Sequence, residues 1–259
     1  MENKKRIRWD TILLIIGVIC LAAFGIISYK NVTEEKRSKD TMDQVRSMKE
    51  AGIAQKVGST EQNTKSIVTT SYDKLFETNE DMIGWLNISG TQIDYPVMQT
   101  PEDEEYYLHR DFFGEKDKNG CLLMDTDSDI NRKGANLIIH GHNMRSGAMF
   151  GTLEEYKDSE YGMAHNILDL YTREENREYQ LIAAFYSKVY SSAEHVFKFY
   201  QYFGAANEEE FNDFYKNIKQ MSLYDTGVEA QYGDEFLTLS TCAYHTKNGR
   251  FVIVAKRIN

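Results

Sequence analysis

Cysteine, proline and basic charge are all scarce in this chain. Three cysteines occur in 259 residues, Cys20, Cys121 and Cys242. Cys20 lies in an apolar run near the N-terminus, so the remainder can form at most one disulfide, Cys121 with Cys242, and no disulfide framework. A lone Cys in a catalytic-looking setting points instead to free thiols, with the bridge as the alternative. The only prolines, Pro96 and Pro101, bracket a single loop, and no internal repeat or low-complexity tract is present. Thirty Lys and Arg face forty Asp and Glu. Four of the bases and two of the acids precede the apolar run, leaving an excess of about 12 negative charges beyond it, which argues against nucleic-acid binding. A composition of 41% hydrophobic and 27% charged residues is that of a folded chain, with room for one large domain and appendages.

The apolar run, Thr11 to Ser28 closed by Tyr29, carries no charge. As a helix it spans roughly 28 Å, enough for the hydrocarbon core of a bilayer. A cleaved signal peptide is the competing reading, but its apolar region is usually only about 7–15 residues long and ends at a small-residue site. No such site is evident near Ser28. Lys4, Lys5, Arg6 and Arg8 cluster before the run, whereas the bases after it are interspersed with Glu34, Glu35 and Asp40. That asymmetry predicts a cytoplasmic N-terminus and an external body. The expected layout is a cytoplasmic tail at 1–10, a single-pass plasma-membrane anchor at 11–29, an extracellular stalk and linker at 30–70, and a folded body at 71–259. The stalk is polar with sparse apolar positions, Val32, Met42, Val45, Met48 and Ile53, and loosens into a link over 58–70.

In the body, eight short apolar or alternating runs are separated by turn residues: 85–88, 93–98, 121–124, 137–140, 167–171, 179–186, 235–241 and 251–255. They predict a mainly β fold, a barrel or closed sandwich. One clear helix is expected before the seventh strand, over 207–221, where Phe211, Phe214, Tyr215 and Ile218 recur at helical spacing. A short amphipathic helix around Leu75 and Phe76 leads into the first strand.

The seventh strand ends at Cys242, and the eighth begins about eight residues on at Arg250. A short connection puts both at one end of two adjacent strands. A buried structural Cys with a surface Arg fits the same spacing, because free Cys is often buried. Another apolar strand breaks at Gly141 and delivers His142 into a loop, a usual place for catalytic side chains, while His140 inside the strand reads as a core residue. His140 and His142 could also form half a metal site, but no carboxylate or thiol stands at ligand spacing, so no metal or other cofactor is expected.

Taken together, Asp94-Tyr-Pro-Val97, Tyr107-Leu-His-Arg-Asp-Phe112, Ile139-His-Gly-His-Asn-Met144, Thr238-Leu-Ser-Thr-Cys242 and Asn248-Gly-Arg-Phe-Val-Ile-Val-Ala-Lys256 resemble the sortase family, its class B in particular, over roughly 72–259. The resemblance implies an eight-stranded sortase barrel with added N-terminal helices. It also implies a cysteine transpeptidase with Cys242 as nucleophile, His142 as acid/base and Arg250 steadying the substrate carbonyl and oxyanion. Its partners would be surface proteins with a C-terminal sorting signal of the Asn-x-x-Thr-Asn type, cleaved after Thr, and a peptidoglycan amine as acceptor. Hydrolysis by a cysteine endopeptidase and pilin polymerisation are the alternatives. Ser240, two residues before the nucleophile and on its face of the strand, and Tyr200, in an aromatic run, are candidate substrate contacts; core packing accounts for such a run equally well.

Overall fold

In the computed structural model, residues 9–57 and 72–259 are described. The expected tail before the apolar run and the link over 58–70 lie outside those residues, apart from the first helical positions.

Eight strands close into a barrel in the order β1-β2-β3-β4-β7-β8-β6-β5. They are β1 (Met82–Asn87), β2 (Asp94–Met98), β3 (Leu122–Met124), β4 (Asn136–Gly141), β5 (Ile167–Tyr171), β6 (Asn176–Lys188), β7 (Phe236–Cys242) and β8 (Gly249–Arg257). Each expected run is a strand, which establishes the mainly β barrel. β2–β3 and β4–β7 pair in parallel, and the remaining pairs are antiparallel.

Alternation along β7 and β8 sorts the two faces. Leu237, Leu239, Phe251, Ile253 and Ala255 fill the interior with Trp85, Leu122, Ile139 and Leu170. Phe236, Val252 and Val254 belong to a second cluster outside the barrel. There they meet Phe211, Phe214 and Ile218 of the expected long helix, which runs Glu208–Met221. Asn207 caps that helix by accepting the Glu210 N–H at 3.0 Å, and three glutamates in the first turn complement its dipole. Burying each of these side chains contributes about 1.5–3 kcal/mol.

The N-terminal helices are α1 (Trp9–Val57) and α2 (Asp73–Thr78); α3 (Ser159–Ala164) and α4 (Glu208–Met221) follow. α1 is one helix long and apolar enough to cross a membrane, with its apolar part exposed. It continues unbroken into the stalk segment, and that segment docks on the barrel. Met42 and Val45 are buried and Met48 packs beside them. Lys49 Nζ lies 2.8 Å from Asp94 Oδ1 on β2, and Arg46 donates to the Asp94 carbonyl. Packing therefore begins well before residue 71.

Candidate active site

The register places the chemistry. In the antiparallel β7–β8 pair, Cys242 stands directly opposite Arg250. In the parallel β4–β7 pair, His140 matches Ser240 and Gly141 matches Thr241, so the next row pairs His142 with Cys242. His142, Cys242 and Arg250 thus form one row across three adjacent strands, and neighbouring strands are separated by only about 4.8 Å. Two side-chain bonds hold the row together, one at the last ladder pair and one beyond it. Thr241 Oγ1 donates to the Gly141 carbonyl and Asn143 Nδ2 to the Cys242 carbonyl, each at 2.7 Å.

Gly141 lets this happen. A Cβ there would come within 2.6 Å of Phe150 and 2.7 Å of Leu122, both buried side chains. Gly141→Ala is therefore expected to cost about 1–3 kcal/mol by overpacking and to lower turnover by displacing His142; urea unfolding and peptide cleavage measure the two effects.

Cys242 is exposed and Cys121 buried, and both are free thiols, so the alternative of a bridge between them does not hold. Burial pushes the Cys121 thiol well above its ordinary range, so it stays protonated. His142 Nε2 lies 2.9 Å from the Leu108 carbonyl, which can only accept; that nitrogen therefore carries the proton. Leu108 O orients the ring as a side-chain carboxylate would elsewhere. The imidazole also stacks on His109, with centroids 5.5 Å apart and planes 18° apart. Arg250 Nη1 donates to the Gly249 carbonyl at 3.0 Å, which fixes the guanidinium without neutralising it.

Ser240 lies beneath Cys242 on the same face. It is 1% exposed, and its hydroxyl has no hydrogen-bond partner among the described residues. Tyr200 is not part of the row. Its ring sits edge-on against Phe199 in the cluster under α4, and its hydroxyl accepts the Tyr190 N–H at 3.0 Å.

His140 is half-buried rather than a core residue. Its Nε2 stands 3.4 Å from Asp125 Oδ2, and Glu104 brings a third ligand-type atom, all within 4.8 Å of one another. The loops supply carboxylates that are distant from His140 in sequence. Burial, together with Asp125, raises the Glu104 carboxyl above its usual range.

Sequence reasoning did not find the Leu108 carbonyl or the Asn143 contact. Neither is signalled by residue type, since one is a main-chain atom and the other depends on a partner 99 positions away.

A sortase domain model matches residues 86–258. Listeria monocytogenes sortase B is 29% identical over 262 residues, covering 100% of this chain and 99% of the relative. The Staphylococcus aureus sortase B–substrate complex superposes with a TM-score of 0.74 at 24% identity, over 88% of this chain and 99% of that one. A sortase B complexed with triglycine gives 0.73 at 24% identity, over 87% and 99%. With the family model spanning most of the barrel and full-length relatives bearing the same name, the chain belongs to the sortase family, as a class B sortase and hence a cysteine transpeptidase.

Proposed function

We propose that this sortase cleaves a C-terminal sorting signal of the Asn-x-x-Thr-Asn type after Thr and joins the new carboxyl end to a peptidoglycan amine. The observation that carries the proposal is the row His142–Cys242–Arg250 across β4, β7 and β8.

The Cys242 thiolate attacks the Thr carbonyl carbon. Arg250 lies on the same face and stabilises the oxyanion that develops. As the tetrahedral intermediate collapses, the C–N bond breaks and imidazolium His142 gives its proton to the leaving amine, leaving a thioester on Cys242. The acceptor amine then attacks the thioester, His142 takes its proton, and Cys242 leaves. Leu108 O holds a proton on Nε2, which leaves Nδ1 as the ring nitrogen that exchanges one. Ser240 is covered in this structure, so its unpartnered hydroxyl would touch a peptide along β7 only after the residues over it move aside.

S. aureus sortase B has been captured with substrate and a sortase B with triglycine, which supports a peptide and an amine as the two reactants here. We place the barrel outside the plasma membrane on an uncleaved anchor at 11–29 with the N-terminus cytoplasmic. The support is that α1 runs from the apolar segment directly into residues packed on the barrel.

The test is mass analysis of products after incubation with signal peptide and excess amine. A peptide–amine conjugate is expected to dominate, and hydrolysis alone, whatever the amine concentration, would refute the transpeptidase assignment for this signal.

A further inference from the structure

His140 belongs to a cluster of side chains that the reaction does not use. It lies between Leu123 on β3 and Ser240 on β7, one row behind the reacting one and on the same face. Its Nε2 faces Asp125 Oδ2 at 3.4 Å, and a Glu104 carboxylate oxygen lies within 4.8 Å of both atoms. Among the described residues, His140 is the one cation-forming group in ion-pair contact with either carboxylate. A single imidazolium balances one of these two negative charges, whereas a divalent ion balances both.

The donors are held in place by the main chain around them. The Asp125 N–H donates to the Ile138 carbonyl at 2.9 Å, and Asp125 Oδ1 accepts the Asp127 N–H at 3.0 Å, which leaves Oδ2 to face the imidazole. Gln99 Nε2 donates at 2.9 Å to the carbonyls of both Asp125 and Ser128, tying the loop that carries Glu104 to the turn that carries Asp125. The separation of His140 from Asp125 is long for a hydrogen bond. It matches one edge of a metal tetrahedron, because donor bonds of about 2.0–2.2 Å put two ligand atoms about 3.3–3.6 Å apart. One nitrogen with two oxygens also selects among ions. Calcium and magnesium favour all-oxygen sets, whereas zinc-type ions take imidazole together with carboxylate and complete their shell with water.

Position gives the cluster a role. Glu104 precedes the short helical turn Tyr106–His109, whose Leu108 carbonyl holds His142. His140 stands two residues before His142 at the end of β4. An ion joining Glu104 to His140 therefore links the two segments that meet in the Leu108–His142 contact.

We propose that Glu104, Asp125 and His140 bind a divalent transition-metal ion of the zinc type, which braces the segment bearing Leu108 against the strand bearing His142.

The test is calorimetric titration of zinc chloride into the full chain in detergent micelles, without a polyhistidine tag and carrying Cys242→Ala so that the exposed thiol contributes no binding. One zinc per chain is expected. His140→Ala and Asp125→Asn should each weaken it by at least about tenfold, the loss typical even of an outer-shell partner, and the exposed Glu160→Gln should leave it unchanged. Asp125→Asn keeps the oxygen that accepts the Asp127 N–H, so its loss of binding is not a loss of the turn. Hydrogen–deuterium exchange over 104–110 should slow on adding zinc to the parent and not to His140→Ala. Absence of saturable zinc binding, binding that both ligand variants leave intact, or calcium bound in preference to zinc overturns the site. Zinc binding without protection over 104–110 overturns the brace.

Discussion

Cys242→Ala is expected to abolish thioester formation and to lower transpeptidation by at least about ten-thousandfold. The fold should be unchanged, because residue 242 is exposed at the end of its strand and belongs to neither hydrophobic cluster. Intact-protein mass spectrometry after incubation with signal peptide reads the first effect and product formation the second. His142→Ala and Arg250→Ala should each fall nearly as far. Combining either with Cys242→Ala should add almost nothing, since residues that act as a unit are strongly non-additive. Independent, multiplying losses would mean that the row is not one catalytic device. If His140→Ala abolished turnover and His142→Ala did not, the acid/base role would pass to the histidine facing Asp125.

The largest effect on stability is expected at Asp94. Its carboxylate accepts from Trp85 Nε1 at 2.6 Å, Lys49 Nζ at 2.8 Å and Asn87 Nδ2 at 3.1 Å, and Arg46 Nε approaches to 3.5 Å. Burial pushes this carboxyl up, but the bonds from Lys49, Trp85 and Asn87 outweigh burial and hold it below the usual carboxylate range. Asp94→Ala leaves the Lys49 charge and the Trp85 N–H without their acceptor and should cost about 2–4 kcal/mol, measured by urea unfolding of residues 30–259. Because the folded value is lowered, the carboxylate's contribution is complete above the ordinary pKa of about 3.9 and disappears as pH falls through the lower folded value. The difference between wild type and variant should therefore shrink only in strong acid. A difference that persists undiminished to about pH 2 would show that charge at Asp94 is not what holds α1.

The same contacts show where the sequence was legible. β7 and β8 could be read directly, because one face of each is continuously apolar and a short connection fixes their pairing. α4 could be read because its stripe of Phe211, Phe214 and Ile218 is long enough to establish a period. The docking of α1 could not. Met42, Val45 and Met48 make a stripe of scarcely two turns inside a polar segment, and Asp94 lies 45 positions from Lys49. Within the site, Cys242 and Arg250 follow from local spacing, whereas the neighbourhood of His142 depends on the parallel β4–β7 pair, which sequence proximity does not announce. His140 was misplaced for the same reason: an apolar strand suggests burial, but the residue lies one short of the strand's end, beside carboxylates brought in by loops.

That parallel pair also governs when reactivity appears. His142 and Cys242 are a hundred residues apart and are brought together by the parallel β4–β7 pair. Closing so long a loop is entropically slow compared with pairing the early hairpins. The thiol can meet Arg250 through the local β7–β8 hairpin, but it gains His142 only when the long β4–β7 loop closes. Until that closure the polypeptide carries a cysteine without its acid/base partner, so the Cys–His pair exists only in the closed barrel.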